Sequence, residues 1–251
     1  RLFTNAFDRL SWFDGLWRIF TRPHLRRKLA GLIAGAGDVD TFVLSDENLL
    51  GLISVNHWFG RLYPQAGGRV RILEDMLAGH DVRYFLAIRS YPDYLVSSWL
   101  QLAARGKAPP FETYQARFSP DRRGWSDIVA EIARVAGPDR LTVWTYDWFC
   151  ADPLQLLRLL APGVDLPEND QQVRRDVLPS LTVKGLKVLS ALENHLSPNE
   201  LRELGRVLRS FPFEEPNPRL AITDAALVEA YRVRFAADLE RIAALGVDLH
   251  A

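Results

Sequence analysis

Three short runs of apolar residues, rich in β-branched and aromatic side chains, stand out along the chain. They cover residues 41–44 (TFVL), 82–88 (VRYFLAI) and 141–146 (LTVWTY). Runs of this length and composition are typical of strands buried inside a sheet. The pattern therefore predicts three buried strands.

Between and after these runs, the apolar positions follow a helical rhythm with recognisable start and stop signals. Pro92 and Gly106 bracket one segment, as expected for proline in the first turn of a helix and glycine just beyond its end. The other predicted helices are residues 25–33, residues 70–77, residues 153–160 opened by Asp152, residues 180–195 capped by Ser180, a segment opened by the capping box Ser197–Glu200, and residues 223–246 opened by Thr223.

Strands that alternate with helices predict an α/β fold, with a central parallel sheet covered by helices on both faces. The chain has 251 residues and 48% apolar content, enough for one substantial core. No linker rich in Gly, Ser or Pro divides it. A single domain over residues 1–251 is therefore expected.

Charge and cysteine content narrow the classes of function. Lys and Arg number 31, as do Asp and Glu, so the formal charge is zero, which argues against nucleic acid as the main partner. The single cysteine, Cys150, excludes an internal disulfide framework and a Cys-rich metal site, and it fits a reducing, cytoplasmic compartment. No apolar run reaches the roughly 18 residues that a membrane span needs, and no signal peptide is apparent at the start.

The most informative stretch lies where the second predicted strand meets the next helix. In open α/β sheets, ligands sit outside the carboxyl ends of the strands. Arg89 occupies such a strand tip, and Ser97 follows eight residues later, in the second turn of the predicted helix. A guanidinium, a helix N-terminus and a hydroxyl together suit a phosphate group. The alternative is an arginine that pairs with a carboxylate or stays solvated, and a serine that points outward.

These residues resemble the 3′-phosphate-binding segment of P-loop sulfotransferases, in which an arginine and a serine at this interval bind the 3′-phosphate of 3′-phosphoadenosine 5′-phosphosulfate (PAPS). The sequence of residues 87–91 (AIRSY) is similar to that found in a bacterial branch of the family. Residues 41–49 (TFVLSDENL) resemble its "SDEN" strand end, and residues 141–153 resemble a later strand and helix start. The resemblance covers residues 40–160 well and the helical tail loosely. One departure is proline, which stands one place later than in the usual Arg-x-Pro pattern.

The resemblance implies a P-loop NTPase-like three-layer fold with a central parallel sheet and a helical C-terminal region. It also implies an enzyme that transfers a sulfonate group from PAPS, without a metal, to a hydroxyl of a carbohydrate or small molecule. Arg89 and Ser97 would bind the donor. The family's 5′-phosphosulfate loop, with Lys, Gly and Ser/Thr in close succession, does not occur in the sequence. We expect that loop and the first strand upstream of Arg1.

Two further functions stay open from the sequence. One is a non-catalytic, sulfotransferase-like module for nucleotide binding or interaction. The other is a nucleoside-triphosphate kinase or hydrolase, which is weaker because no Walker lysine follows a strand.

Sulfonyl transfer needs a base for the acceptor hydroxyl. Glu47 is the first choice, because it follows the predicted strand 41–44 and should face the same edge as Arg89. Asp46 and His57 are the alternatives. Glu47 could equally be a first-turn carboxylate of a helix capped by Ser45.

Three basic clusters are candidates for acceptor contacts, although solvated helix faces explain such clusters equally well. They are residues 22–28, Arg122–Arg123 and Arg174–Arg175.

Overall fold

The computed structural model describes residues 16–104, 108–119, 121–163, 181–192, 194–209 and 220–251. Helices dominate this part of the chain. They are α1 (Leu16–Gly35), α2 (Ile53–Phe59), α3 (Ala66–Met76), α4 (Tyr91–Ala103), α5 (Phe111–Gln115), α6 (Trp125–Ala136), α7 (Tyr146–Ala151), α8 (Pro153–Leu160), α9 (Val183–Leu192), α10 (Pro198–Arg209) and α11 (Ala225–Ala243). The strands are β1 (Tyr84–Ile88), β2 (Leu141–Thr145) and β3 (Asp248–His250). Among these helices, none combines the length and the apolar character needed to cross a bilayer.

The three strands form one parallel sheet in the order β1–β2–β3. Ile88 pairs with Thr145 in the last row between β1 and β2, and Trp144 pairs with His250 between β2 and β3. The α/β class and the parallel sheet are therefore confirmed. The predicted strands 82–88 and 141–146 correspond to β1 and β2, whereas β3 had no counterpart among the predicted strands.

One face of this sheet is well buried and the other is not. Side chains alternate between the faces, and Ile88, Leu141 and Val143 share one face and are all buried. Helix α6 packs against β2. On the opposite face, Trp144 is half-buried and Ala87 is exposed. The prediction of a sheet covered on both faces is therefore correct for one face of the described strands.

The predicted strand at residues 41–44 is wrong. These residues form no strand in the structure, and Phe42 and Val43 are 40% and 50% exposed. A strand needs a partner that accepts and donates its backbone hydrogen bonds, and a short apolar run does not provide one. Composition alone identified the run as buried, but no described strand pairs with it.

The chain divides into two compact units. The first comprises Arg1–Ile88, Arg123–Asp165 and Ala237–Ala251, and the second comprises Arg89–Arg122 and Leu166–Ala236. The first unit contains the sheet and the packed pair α3 and α6. The second has its own core, in which the carboxyl half of α4 packs with α9 and α10 through Leu100, Leu181, Leu186, Leu189, Leu201 and Leu208. The single-domain expectation stays a prediction.

Two predicted helix starts are confirmed by their hydrogen bonds. The Asp152 carboxylate accepts from the Leu154 backbone N–H at 3.0 Å. At α10, the Ser197 backbone N–H donates to the Glu200 carboxylate at 2.7 Å, and the Glu200 N–H donates to the Ser197 hydroxyl at 3.4 Å. This reciprocal pair is the predicted capping box.

Two other starts are shifted. The cap of α9 is Thr182, whose hydroxyl accepts from the Gly185 N–H at 3.0 Å, whereas the predicted cap Ser180 lies outside the described residues. At α11, Asp224 rather than Thr223 accepts from the first turn, since its carboxylate bonds the Ala226 N–H at 3.0 Å. In both cases the cap is a residue one or two places away from the predicted one, and its side-chain oxygen accepts a hydrogen bond from the first turn of the helix.

A buried carboxylate joins α11 to the start of α6. Asp238 is fully buried, and it accepts hydrogen bonds from the Ser126 hydroxyl at 2.7 Å and the Trp125 backbone N–H at 3.2 Å. The first N–H groups of a helix have no partner inside it. Asp238 therefore completes the amino end of α6 from more than a hundred residues away.

Replacing Asp238 with alanine leaves both buried donors without their acceptor. We expect the free energy of unfolding to fall by about 2–3 kcal/mol. The control is Glu240→Ala, an exposed position on the same helix, where a change below about 0.5 kcal/mol is expected. Urea unfolding followed by circular dichroism measures both; equal losses in the two variants would contradict the capping role.

Candidate functional site

The predicted junction of strand, arginine and helix is present. β1 ends at Ile88, Arg89 follows it directly, and α4 begins two residues later at Tyr91. Pro92 occupies the first turn of α4, as the sequence pattern predicts. The Arg89 and Ser97 side chains are both half-buried.

A polar stripe runs along α4 from its start. Ser90, Asp93 and Ser97 recur at intervals of three, four and seven residues, so they share one face of the helix. The Ser90 hydroxyl donates to the Asp93 carboxylate at 2.6 Å. Ser97 lies about 10 Å along the helix axis from Ser90. The stripe therefore presents two hydroxyls and one carboxylate from the same surface.

The other side of α4 is anchored in the second unit. The buried Ser98 hydroxyl shares a 2.7 Å hydrogen bond with the Tyr114 hydroxyl, and the Trp99 indole N–H donates to the Pro109 carbonyl at 2.8 Å. The Tyr91 ring packs against Tyr231 at 5.9 Å between centroids. These contacts fix the rotation of α4 and so determine which residues form its polar stripe.

Glu47, the first choice for the base, is exposed and lies in a turn. The Asp46 carboxylate accepts from the Asn48 backbone N–H at 2.8 Å, and the Asn48 side-chain amide donates to Glu47 at 3.4 Å. No helix begins at Ser45, since residues 47–50 form turns and bends and α2 starts only at Ile53. The helix-cap interpretation of Ser45 is therefore wrong.

A buried arginine that sequence reasoning missed holds this turn. Arg69 on α3 is fully buried, and its Nη1 donates to the carbonyl oxygens of Asn48 and Leu49, each at 3.4 Å. Burying a guanidinium is costly unless several acceptors surround it. Arg69 therefore fixes the backbone that carries Glu47. In the sequence, Arg69 looks like an ordinary surface arginine on a helix. Nothing in the sequence therefore indicated this role.

The remaining base candidate, His57, lies on α2 and is half-buried. Glu47, Asp46 and His57 all belong to the first unit, whereas Arg89 and Ser97 belong to the second. The roles of Glu47, Asp46 and His57 as a base, and of Arg89 and Ser97 as a phosphate site, therefore stay predictions.

Only part of the basic clusters has the exposure that acceptor binding needs. Arg26, Arg27 and Lys28 on α1 are exposed. Arg122 is exposed and donates to the Arg117 carbonyl at 3.2 Å. Arg174–Arg175 lies outside the described residues.

Arg123 instead ties the loop before α3 to α6. It donates to the Glu131 carboxylate at 2.5 Å and 2.8 Å and to the Leu62 carbonyl at 2.8 Å. The Gly67 backbone N–H, at the start of α3, also donates to Glu131 at 3.4 Å. The hydrogen bonds from Arg123 hold the pKa of Glu131 below its ordinary value, against the opposing effect of partial burial. Arg123 therefore pairs with groups of the fold itself, which argues against a role in acceptor binding.

This network predicts a dependence of stability on pH. Because the pKa of Glu131 is lower in the folded state, its contribution is complete above the unfolded pKa and is lost as the pH falls through the folded pKa. Glu131→Gln should lower the free energy of unfolding at pH 7 by about 1–2 kcal/mol. The gap to the unsubstituted protein should shrink as the pH falls below 4.5, the ordinary value for glutamate.

Urea unfolding at pH 7 and at pH 3.5 measures the gap. The matched control is Glu229→Gln, which removes an exposed 3.3 Å pair with Arg232 and should change little at either pH. A gap of constant size for Glu131→Gln across this range would contradict the assigned network.

A second polar group, also missed from the sequence, lies in the first unit on the less buried face of the sheet. The Asp248 carboxylate accepts from the Thr142 hydroxyl at 3.2 Å and lies 3.2 Å from the His250 imidazole. The Trp148 ring packs on His250, with centroids 4.8 Å apart. No group of three or more His, Cys, Asp or Glu residues in the described part of the chain is arranged to hold a metal ion.

Comparisons with known proteins find no relative. No protein-family model matches the chain, and no match is found among curated proteins or solved structures. The assignment of a phosphate ligand to Arg89 and Ser97 therefore rests on their chemistry, their placement and the resemblance in the sequence.

Proposed function

We propose that this chain binds the 3′-phosphate of PAPS through Arg89 and Ser97 and is part of a PAPS-dependent sulfotransferase. The observation that carries the proposal is the junction itself: an arginine at the tip of a parallel strand, directly before a helix whose outward stripe contains the serine. The carboxyl edge of a parallel sheet is where ligands bind in α/β folds. The proposal includes a P-loop NTPase-like layered fold and a cytoplasmic location.

The chemistry of a phosphate matches these groups. A guanidinium donates two parallel hydrogen bonds to phosphate oxygens. The amino end of α4 adds a partial positive charge, and the Ser97 hydroxyl adds a further donor. The Cα–Cβ bonds of a helix tilt toward its N-terminus, so the Ser97 side chain leaves the backbone on the Arg89 side of its own turn.

The transfer reaction is proposed as a direct displacement at sulfur. Glu47 accepts the proton of an acceptor hydroxyl on a carbohydrate or small molecule. The acceptor oxygen then bonds to sulfur while the bond between sulfur and the bridging phosphate oxygen breaks. The products are the sulfated acceptor and adenosine 3′,5′-bisphosphate. The Arg69 clamp on the Asn48 and Leu49 carbonyls supports the backbone next to Glu47.

Binding of adenosine 3′,5′-bisphosphate tests the donor site without an acceptor. At about 100 times the dissociation constant, the ligand should stabilise the folded chain by about 2.7 kcal/mol, which raises the melting temperature by several degrees. Arg89→Ala should weaken binding about 10- to 100-fold, because charge-assisted hydrogen bonds are each worth about 1.5–3 kcal/mol. Isothermal titration calorimetry gives the affinities.

The matched control is Arg83→Ala, an exposed arginine just before the amino end of the same strand, which should leave the affinity unchanged. No stabilisation by the bisphosphate, or equal effects of the two substitutions, would reject the site. Stabilisation without sulfonyl transfer from PAPS would indicate nucleotide binding without catalysis.

Asp93 provides a separate test, because its negative charge lies on the same stripe as Ser97. A charged group near a helix terminus changes the electrostatic energy there by about 0.3–1 kcal/mol. The Asp93 carboxylate repels a phosphate bound at the same helix start. Asp93→Asn should therefore tighten binding of the bisphosphate by roughly two- to fivefold. Asp75→Asn on α3 serves as the control for a general change in net charge and should have no effect. A weaker affinity in Asp93→Asn would place the anion elsewhere than on this stripe.

A further inference from the structure

The face of the sheet opposite the buried one, termed the open face, carries side chains from all three strands. The strand register assigns to it Phe85, Ala87, Thr142, Trp144, Asp248 and His250. None of these six side chains is buried, and Ala87 and Asp248 are exposed. Sheets made only of parallel strands occur almost always with both faces covered. A cover for the open face is therefore expected.

Aromatic rings extend across the open face. The Phe85 and Trp144 rings lie 6.3 Å apart between centroids. Trp144 pairs with His250 on the next strand, and the Trp148 ring of α7 packs on His250 at 4.8 Å. Neighbouring aromatic side chains that stay partly exposed are typical of a surface that binds another apolar surface. The open face therefore fits a partner with apolar side chains.

Residues 1–13 contain a matching apolar stripe in their sequence. At about 100° per residue, six apolar residues fall within about 140° of a helix circumference. They are Leu2, Phe3, Ala6, Phe7, Leu10 and Phe13. The polar residues on the opposite side are Arg1, Thr4, Asn5, Asp8, Arg9 and Ser11, and Trp12 alone departs from the division. The pattern predicts an amphipathic helix whose apolar side contains three phenylalanines.

The position of this segment in the chain favours it as the cover. Residues 1–15 lie outside the described residues and belong to the same compact unit as the sheet. The other stretches outside the described residues, apart from residues 164–165, belong to the second unit. Asp14 and Gly15, a dipeptide typical of turns, separate the segment from α1.

The predicted helix also has the length that the open face needs. Residues 2–13 would form a helix about 18 Å long. A strand of the length of β1 or β2 spans roughly 17 Å. One such helix therefore reaches from one end of these strands to the other.

We propose that residues 2–13 form a helix that packs its phenylalanine side on the open face of the sheet. A helix of this length is marginally stable in water by itself, so it needs to bury its apolar side. The contact covers the open face and the apolar stripe together. Neither surface contains Arg89 or Ser97, so the contact does not depend on the proposed function.

The covalent connection favours this segment over a second copy of the protein as the occupant. A segment joined to the unit that it binds is present at a high effective concentration, in the millimolar range for a short link. A second copy is present only at the concentration of the protein. At ordinary protein concentrations the chain's own segment therefore occupies the face.

Thiol cross-linking in the whole chain tests the contact. The exposed Cys150 is first removed by Cys150→Ser. In that background, Ala6→Cys places a thiol on the apolar stripe and Ala87→Cys places one on the open face. A short bifunctional maleimide should join the two thiols within one chain, as measured by intact mass and by migration in a denaturing gel. The matched control pairs Thr4→Cys with Ala87→Cys. Because Thr4 lies about 200° around the helix from Ala6, this pair should give at least about tenfold less product.

Loss of the rings should release the segment. Phe3→Ser/Phe7→Ser should lower the yield of the cross-link between positions 6 and 87 at least about tenfold. Trp12→Ser removes an aromatic ring that lies off the stripe and should leave the yield unchanged. Circular dichroism confirms that each variant is folded. Equal yields from thiols at positions 4 and 6, or no cross-link from either, overturn the proposal. A cross-link between two chains through Ala87→Cys alone would overturn it as well, by assigning the open face to a second copy.

Discussion

The parallel pairing of β1 with β2 is the constraint on which the candidate anion site depends. Ile88 and Thr145 face each other in the last row of the ladder, so both strands end at the same edge of the sheet. The chain leaves that edge through Arg89 on one side and enters α7 at Tyr146 on the other. A register shift of one residue would move the buried side chains of β1 to the other face and would displace Arg89 from the edge.

Buried and partly buried polar groups define where the helices of the first unit begin and how its loops are held. Asp238 completes the start of α6, Arg123 joins α6 to the loop before α3, and Arg69 holds the turn after Asp46. Each group satisfies backbone donors or acceptors that no helix or strand pairs internally. The polar contacts of this unit thus determine the conformation of its irregular segments, while the apolar core determines the packing of its helices and strands.

Sequence reasoning succeeded where the structure is decided by neighbours in the chain. The runs of β1 and β2, Pro92 in the first turn of α4, and the Ser197–Glu200 box are all local signals. It failed at residues 41–44, because a strand requires a partner, and at β3, because three residues with two polar side chains carry no apolar run. Helix α6 was overlooked although apolar residues recur in it at helical spacing, from Trp125 to Ala136.

The same distinction divides the candidate functional residues. Arg89 and Ser97 lie on consecutive elements, so their relation is set by one strand end and two turns of helix, and a short motif can predict it. Glu47 and its support from Arg69 depend on a contact between α3 and a turn some twenty residues earlier, which no local pattern encodes. Long-range contacts of this kind arise only once the core has packed. Of the proposed function, the part carried by a single strand–helix junction is therefore the part that a short motif can predict, whereas a base supplied by another part of the chain is not.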